Sequence, residues 1–153
     1  MKKQQYIFTF VIFFIYLAAV FYVTIFSKHP YISESGEYRY NLNLNFIEFL
    51  IHNQFESLTF KLKNIGGNFV MFIPLGFLVP ILINKSVHSI KISKIWITTF
   101  IGALLSLVIE LIQLFTYYGI FDINDIVLNV LGTTGGFLLL YSCKLIFATS
   151  TRS

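Results

Sequence analysis

Four long apolar runs dominate this chain, and each is close to the length that crosses a bilayer. Tyr6 to Phe26 and Ile65 to Ile83 carry no charge, Ile95 to Phe115 carries only Glu110, and Ile126 to Phe147 carries only Lys144 near its end. A hydrocarbon core roughly 30 Å thick needs about 20 mostly apolar helical residues. Charged residues make up 12% of the chain, against roughly 25% in a soluble domain. The expected fold is therefore all-α: an integral membrane protein with four transmembrane helices, forming one domain over residues 1–153. The first run follows Lys2 and Lys3, but its 21 residues exceed the roughly 7 to 15 of a signal-peptide core, so it is expected to stay as an anchor.

Basic residues set the expected orientation. Lys2, Lys3, Lys85, Lys91, Lys94, Lys144 and Arg152 fall on one side of the four runs, and Lys28, Arg39, Lys61 and Lys63 fall in the first loop on the other. The positive-inside rule then places both termini in the cytoplasm of a multi-pass plasma-membrane protein. The acids, which played no part in that assignment, agree with it. Glu34, Glu37, Glu48, Glu56, Asp122 and Asp125 all lie outside, and Glu110 lies within the membrane. Such asymmetry suits anionic lipid on the inner leaflet. The basic residues are scattered beside spans rather than gathered in a patch, so nucleic acid is not an expected partner.

With this orientation, polar side chains distant in sequence converge near the outer face. Asn68 opens the second run, Glu110 and Gln113 close the third, and Asp122, Asp125 and Asn129 open the fourth. On the third run Thr99, Gly102, Ala103, Ser106, Glu110 and Gln113 recur at helical steps, as do Asp125, Asn129, Gly132 and Gly136 on the fourth. Small residues let membrane helices approach closely, so these two stripes are expected to pack on each other. Pro74, inside the second run, frees a carbonyl and predicts a kink that leaves room for a pocket.

Glu110 is the sharpest feature. A charge near a span centre costs roughly 2.5 to 3.5 kcal/mol on insertion scales, offset by apolar neighbours at about −0.3 to −0.6 kcal/mol each. Two readings follow: a carboxyl that ties helices together through Asn68 or Asn129, or a binding or proton-handling group in an outward cavity. Asp122 and Asp125 have the spacing of a capping box at the start of the fourth helix. Together with Glu110 they also suggest a place for a divalent cation held through oxygen ligands or for a cationic group of a ligand, although no His or Cys accompanies them, the spacing matches no metal motif and no cofactor is expected. In the first loop Asn45 and Glu48 form a second capping box. Ile47, Leu50, Ile51, Phe55 and Leu58 lie opposite Glu48, His52, Asn53 and Glu56, which predicts an amphipathic helix on the extracellular surface. Cys143 is the only cysteine, so no internal disulfide forms, and no catalytic triad, HExxH or P-loop is present.

Three stretches in order, "NFVMFIPLGFLVP" from Asn68, "ELIQLF" from Glu110 and "FDINDIVLNVLGTTGG" from Phe121, resemble the VanZ-like family of small membrane proteins. "NLNLNFIEF" from Asn41 is similar to that family's Asn-Leu segment. The resemblance assigns Asn68, Pro74, Gly76, Glu110, Gln113, Asp122, Asp125, Asn129 and Gly132 to motif positions. The chain departs from the pattern before the Asp pair, where many members carry a basic residue and this one has "TYYGI". What the resemblance implies is a bacterial cell-envelope protein, and through the family's namesake, lowered susceptibility to teicoplanin-type glycopeptide antibiotics. The leading expectation is an outward polar pocket that binds a lipid-linked cell-wall precursor or the antibiotic, with membrane lipid as the surrounding partner. The alternatives are an intramembrane hydrolase or transferase acting on an envelope lipid, and a small transporter.

Overall fold

A computed structural model describes residues 3–26, 42–44, 65–84, 89–119 and 121–150. The elements are α1 (Lys3–Phe21), continued by a wider π turn over Tyr22–Phe26, a short strand β1 (Leu42–Asn43), α2 (Gly67–Asn84), a single 3-10 turn (Ile92–Lys94) leading into α3 (Ile95–Thr116), a short strand β2 (Phe121–Asp122), and α4 (Ile123–Ser150). The described chain is all-α apart from a parallel bridge in which Leu42 faces Phe121 and Asn43 faces Asp122. The predicted amphipathic helix and its Asn45 to Glu48 cap lie outside the described residues.

Lys3–Ile25, Ile92–Thr116 and Ile123–Ala148 are long and apolar enough to cross a membrane, whereas the apolar part of α2, Gly67–Ile83, is shorter. The distribution of side chains is the reverse of a soluble protein's. Among the described residues the buried polar side chains, Thr24, Thr98, Ser106, Glu110, Gln113, Asn124, Asn129 and Thr133, are nearly as numerous as the buried apolar ones. Large apolar groups point outward instead, as with Phe8, Trp96, Phe100 and Phe147. Lipid tails are as apolar as leucine, so nothing drives such groups inward, and helices associate through close packing and hydrogen bonds.

Successive helices alternate in direction. Thr24 at the end of α1 meets Gln113 at the end of α3, while Lys144 late in α4 donates to the carbonyl of Ile90 just before α3. The closest packing joins α2 and α4, which run parallel. Gly132 sits against the carbonyl of Phe69, Gly136 against that of Ile73, and Gly76 against the backbone of Thr133 to Phe137. This corrects the expected pairing: the glycine spacing of α4 receives α2 rather than α3. Thr133, between those glycines, faces both ways. Its backbone lies on Gly76, and its side chain fills the space that Gly102 of α3 leaves open.

Two apolar clusters complete the bundle. Val20, Phe72, Leu75, Val79 and Ile109 fill the space among α1, α2 and α3, and Ile90, Phe137 and Leu140 close the opposite end of α4. Tyr16 of α1 donates to the carbonyl of Met71 at 2.9 Å, close to the turn that Pro74 leaves short of a donor. Pro74 itself is exposed, whereas Pro80 is fully buried, and the helix continues through both. Among the described residues, one cavity of about 290 Å³ is lined by Phe13 and Leu17 of α1, Leu75 of α2, and Ile101, Leu104, Leu105 and Val108 of α3. It is apolar, and Pro74 does not line it.

The α2–α4 contact has a direct test. Gly132→Val places its side chain on the carbonyl of Phe69, and overpacking of this kind costs about 1 to 3 kcal/mol or more. Gly67→Ala meets nothing within 4 Å and, being helical, changes stability by under about 1 kcal/mol, in the stabilising direction. Thermal unfolding of the purified chain in detergent should separate the two variants clearly; equal midpoints would show that the glycines are not in the interface.

Candidate functional site

The site forms where α3 ends and α4 begins. Tyr117 closes α3 in the left-handed region at φ 61°, its N–H reaching Leu114 O at 3.4 Å, and Gly119 follows at φ 135°. That second angle belongs to glycine, because a Cβ there meets the neighbouring backbone. The reversal turns the chain back on itself, so that Asp122 returns to the level of Glu110.

Asp122 is the N-cap of α4. Its Oδ1 accepts from the backbone N–H of Asn124 at 2.8 Å and from the Asn124 side-chain Nδ2 at 2.6 Å. The first of these satisfies one of the four N–H groups that a helix start leaves without partners. A capping box would return a side chain from the third helical residue, Asp125, to the N–H of Asp122. Here Glu110 fills that role from the neighbouring helix: the N–H of Asp122 donates to Glu110 Oε2 at 2.8 Å. Asp125 lies half-buried in the first turn, where the helix dipole favours negative charge. On its other side Asp122 Oδ2 accepts from Asn43 Nδ2 at 2.9 Å, so the bridge of β1 to β2 is reinforced by a side-chain bond.

Below this cap the α3 and α4 stripes face each other as a polar seam. Asn129 Nδ2 donates to Ser106 Oγ at 2.8 Å, and Thr99 and Thr134 share a hydrogen bond at 3.0 Å. Asn129 thus lies one turn deeper than Glu110. Gln113 leaves the seam for α1, donating to the carbonyl of Thr24 at 2.9 Å. That carbonyl lies in the π turn, and Thr24 itself donates to Val20 O at 2.8 Å. Asn68 is half-buried in the first turn of α2. Of the residues expected at the site, the structure therefore joins Glu110 directly to Asp122, keeps Asp125 in the same helical turn, ties Asn129 into the seam beneath, and sends Gln113 to α1.

Three members escaped the sequence reading. Asn124 is 1% exposed, yet its position in the cap was masked by the two Asp residues that flank it. Asn43 and Thr24 come from segments whose approach to the site depends on tertiary structure alone. Two acceptors in the cluster stand out: Asn124 Oδ1 and Asn129 Oδ1 are buried and have no hydrogen-bond partner. Among the described residues, no three His, Cys, Asp or Glu side chains form a group that could hold a metal ion.

The seam bond between Asn129 and Ser106 should be measurable. Interhelical hydrogen bonds in membranes contribute about 0.6 kcal/mol on average and up to about 1.7 kcal/mol. A double-mutant cycle of Ser106→Ala and Asn129→Ala, followed by thermal or chemical unfolding, should return a coupling in that range; additive effects would mean that the two side chains do not interact.

The comparisons with known proteins agree with the motif reading. No curated protein and no solved structure gives a match. A family model described as VanZ/LLP1 matches residues 13–147, which include the seam, the cap and the α2–α4 contact. That match covers most of the chain, and the chain belongs to the VanZ-like family.

Proposed function

We propose that the chain is a four-span plasma-membrane protein of the bacterial envelope, with cytoplasmic termini, that lowers susceptibility to teicoplanin-type glycopeptides. In this reading the Glu110–Asp122 cluster faces outward and binds a lipid-linked cell-wall precursor or the antibiotic itself. The observation that carries it is the cap of α4 by Glu110, a carboxyl that is 1% exposed in an otherwise uncharged helix and bonded to the N-terminus of the next. Ionisable groups at membrane depth are rare and mark binding or transport sites as a rule. Family membership supplies the link to glycopeptides.

Two features support the topology. The shorter α2 runs parallel to α4 and packs along it through three glycines, which supports a fourth crossing of the same layer. Lys91, Lys94 and Lys144 gather at the end of the bundle opposite the three acids, and the positive-inside rule assigns that end to the cytoplasm.

Susceptibility profiling across glycopeptides, with and without the expressed chain, tests the proposal. Loss of a hydrogen bond to a charged group costs about 1.5 to 3 kcal/mol, roughly ten- to a hundredfold in affinity. Glu110→Gln and Asp125→Asn, at normal membrane levels, should therefore return teicoplanin susceptibility to that of cells lacking the chain. Variants indistinguishable from an active parent would remove the cluster from the mechanism.

A further inference from the structure

From the unpartnered acceptors beside the cap we infer that the cluster recognises a primary ammonium group, carried by the headgroup of an amino-bearing membrane lipid. This rests on the reading that the cluster holds a ligand at the outer face, and it specifies the group that a membrane lipid presents to it.

The hydrogen bonds around Asp122 use four donors: its own N–H, the N–H and Nδ2 of Asn124, and Nδ2 of Asn43. Each is matched to a carboxylate oxygen. Two buried acceptors are matched to nothing, Asn124 Oδ1 and Asn129 Oδ1, in residues 1% and 3% exposed. A buried acceptor left without a donor is unfavourable, so a group that donates to it is favoured. The position of Asn124 Oδ1 follows from its amide. Nδ2 and Oδ1 share one carbon, so with Nδ2 at 2.6 Å from Asp122 Oδ1, the free oxygen lies within about 5 Å of that carboxylate.

The second orphan marks the same seam one layer down, because Asn129 Nδ2 is held by Ser106, one turn before Glu110. The site thus asks for a donor, and the half-buried carboxyls of Asp122 and Asp125 favour a donor that is positively charged. A primary ammonium presents three N–H donors and no acceptor. A divalent cation would need a carboxylate group of the kind that the described residues do not form. The cluster lies at the ends of apolar helices, the depth at which lipid headgroups reside.

The test uses the full chain in detergent micelles, with lipid retention read by native mass spectrometry. Phosphatidylethanolamine and lysyl-phosphatidylglycerol carry the amine on different backbones. Phosphatidylcholine keeps the phosphate but has no N–H, and phosphatidylglycerol has no amine. Both amine lipids should be retained about tenfold over phosphatidylcholine and phosphatidylglycerol, the ratio that follows from a single charge-assisted bond. Asn124→Leu should abolish that preference. If this variant does not fold, the half-buried, isosteric Asp125→Asn should lose the same preference while the chain still unfolds cooperatively, with its midpoint lowered only modestly by the lost first-turn charge. Displacement by free ethanolamine would assign recognition to the amine alone, and resistance to displacement would assign it to the lipid-borne headgroup; either supports the inference. Equal retention of all four lipids, or preference for phosphatidylglycerol, overturns it. The susceptibility assay separates the two ideas: a glycopeptide effect that depends on Glu110 without amine preference overturns this inference alone, and amine preference without any susceptibility effect overturns the resistance role alone.

Discussion

The bond from the backbone N–H of Asp122 to the carboxyl of Glu110 organises the rest of the molecule. A helix start leaves four N–H groups without intrahelical partners, and each is costly to bury away from water unless something else accepts from it. The cap that α4 needs at its start comes partly from Asp122 and partly from a side chain of α3. That arrangement solves two problems together, because the same bond gives the buried Glu110 a donor. It also fixes how α3 and α4 meet. With Glu110 held at the start of α4, antiparallel packing brings Ser106 to Asn129 and Thr99 to Thr134, and it leaves Gly102 opposite Thr133.

The seam and the glycine contact divide the work of α4. One side of that helix meets α3 through hydrogen bonds; another meets α2 through glycines at positions 132 and 136 that bring backbone to backbone. Neither contact relies on expelling water from apolar surface, which is why Phe8, Trp96, Phe100 and Phe147 stay outside. The first helix is joined more loosely, through Tyr16 to α2 and through Gln113 to the carbonyl of Thr24. Its end widens into a π turn where Gln113 binds, and such turns recur at functional sites.

Much of this was legible in the residues. Hydropathy located the helices, since no other structure satisfies the backbone of an uninterrupted apolar run in lipid. Helical spacing picked out Ser106, Glu110 and Asn129 as inward-facing, and the Asp122 to Asp125 spacing placed the start of α4 within a residue or two. The partners were not legible. Gly132 and Gly136 share a helical stripe with Asn129, and a stripe does not say which neighbour it receives; the structure gives the glycines to α2 and the asparagine to α3. The cap by Glu110 was hidden because a capping box is a local pattern, and here a distant side chain fills one of its two roles. Asn43 reaches Asp122 across 79 positions of sequence, through a two-residue parallel bridge that no periodicity announces.

Hydrogen exchange at the Asp122 amide tests this account most directly. In the full chain embedded in a nanodisc and followed by NMR, that amide should exchange slowly. Glu110→Leu should speed it by about tenfold or more, the equivalent of about 1.4 kcal/mol, while mid-helix amides of α4 such as Phe137 stay protected. An Asp122 amide that exchanges at the same rate with and without the Glu110 carboxyl would contradict the claim that α3 caps α4.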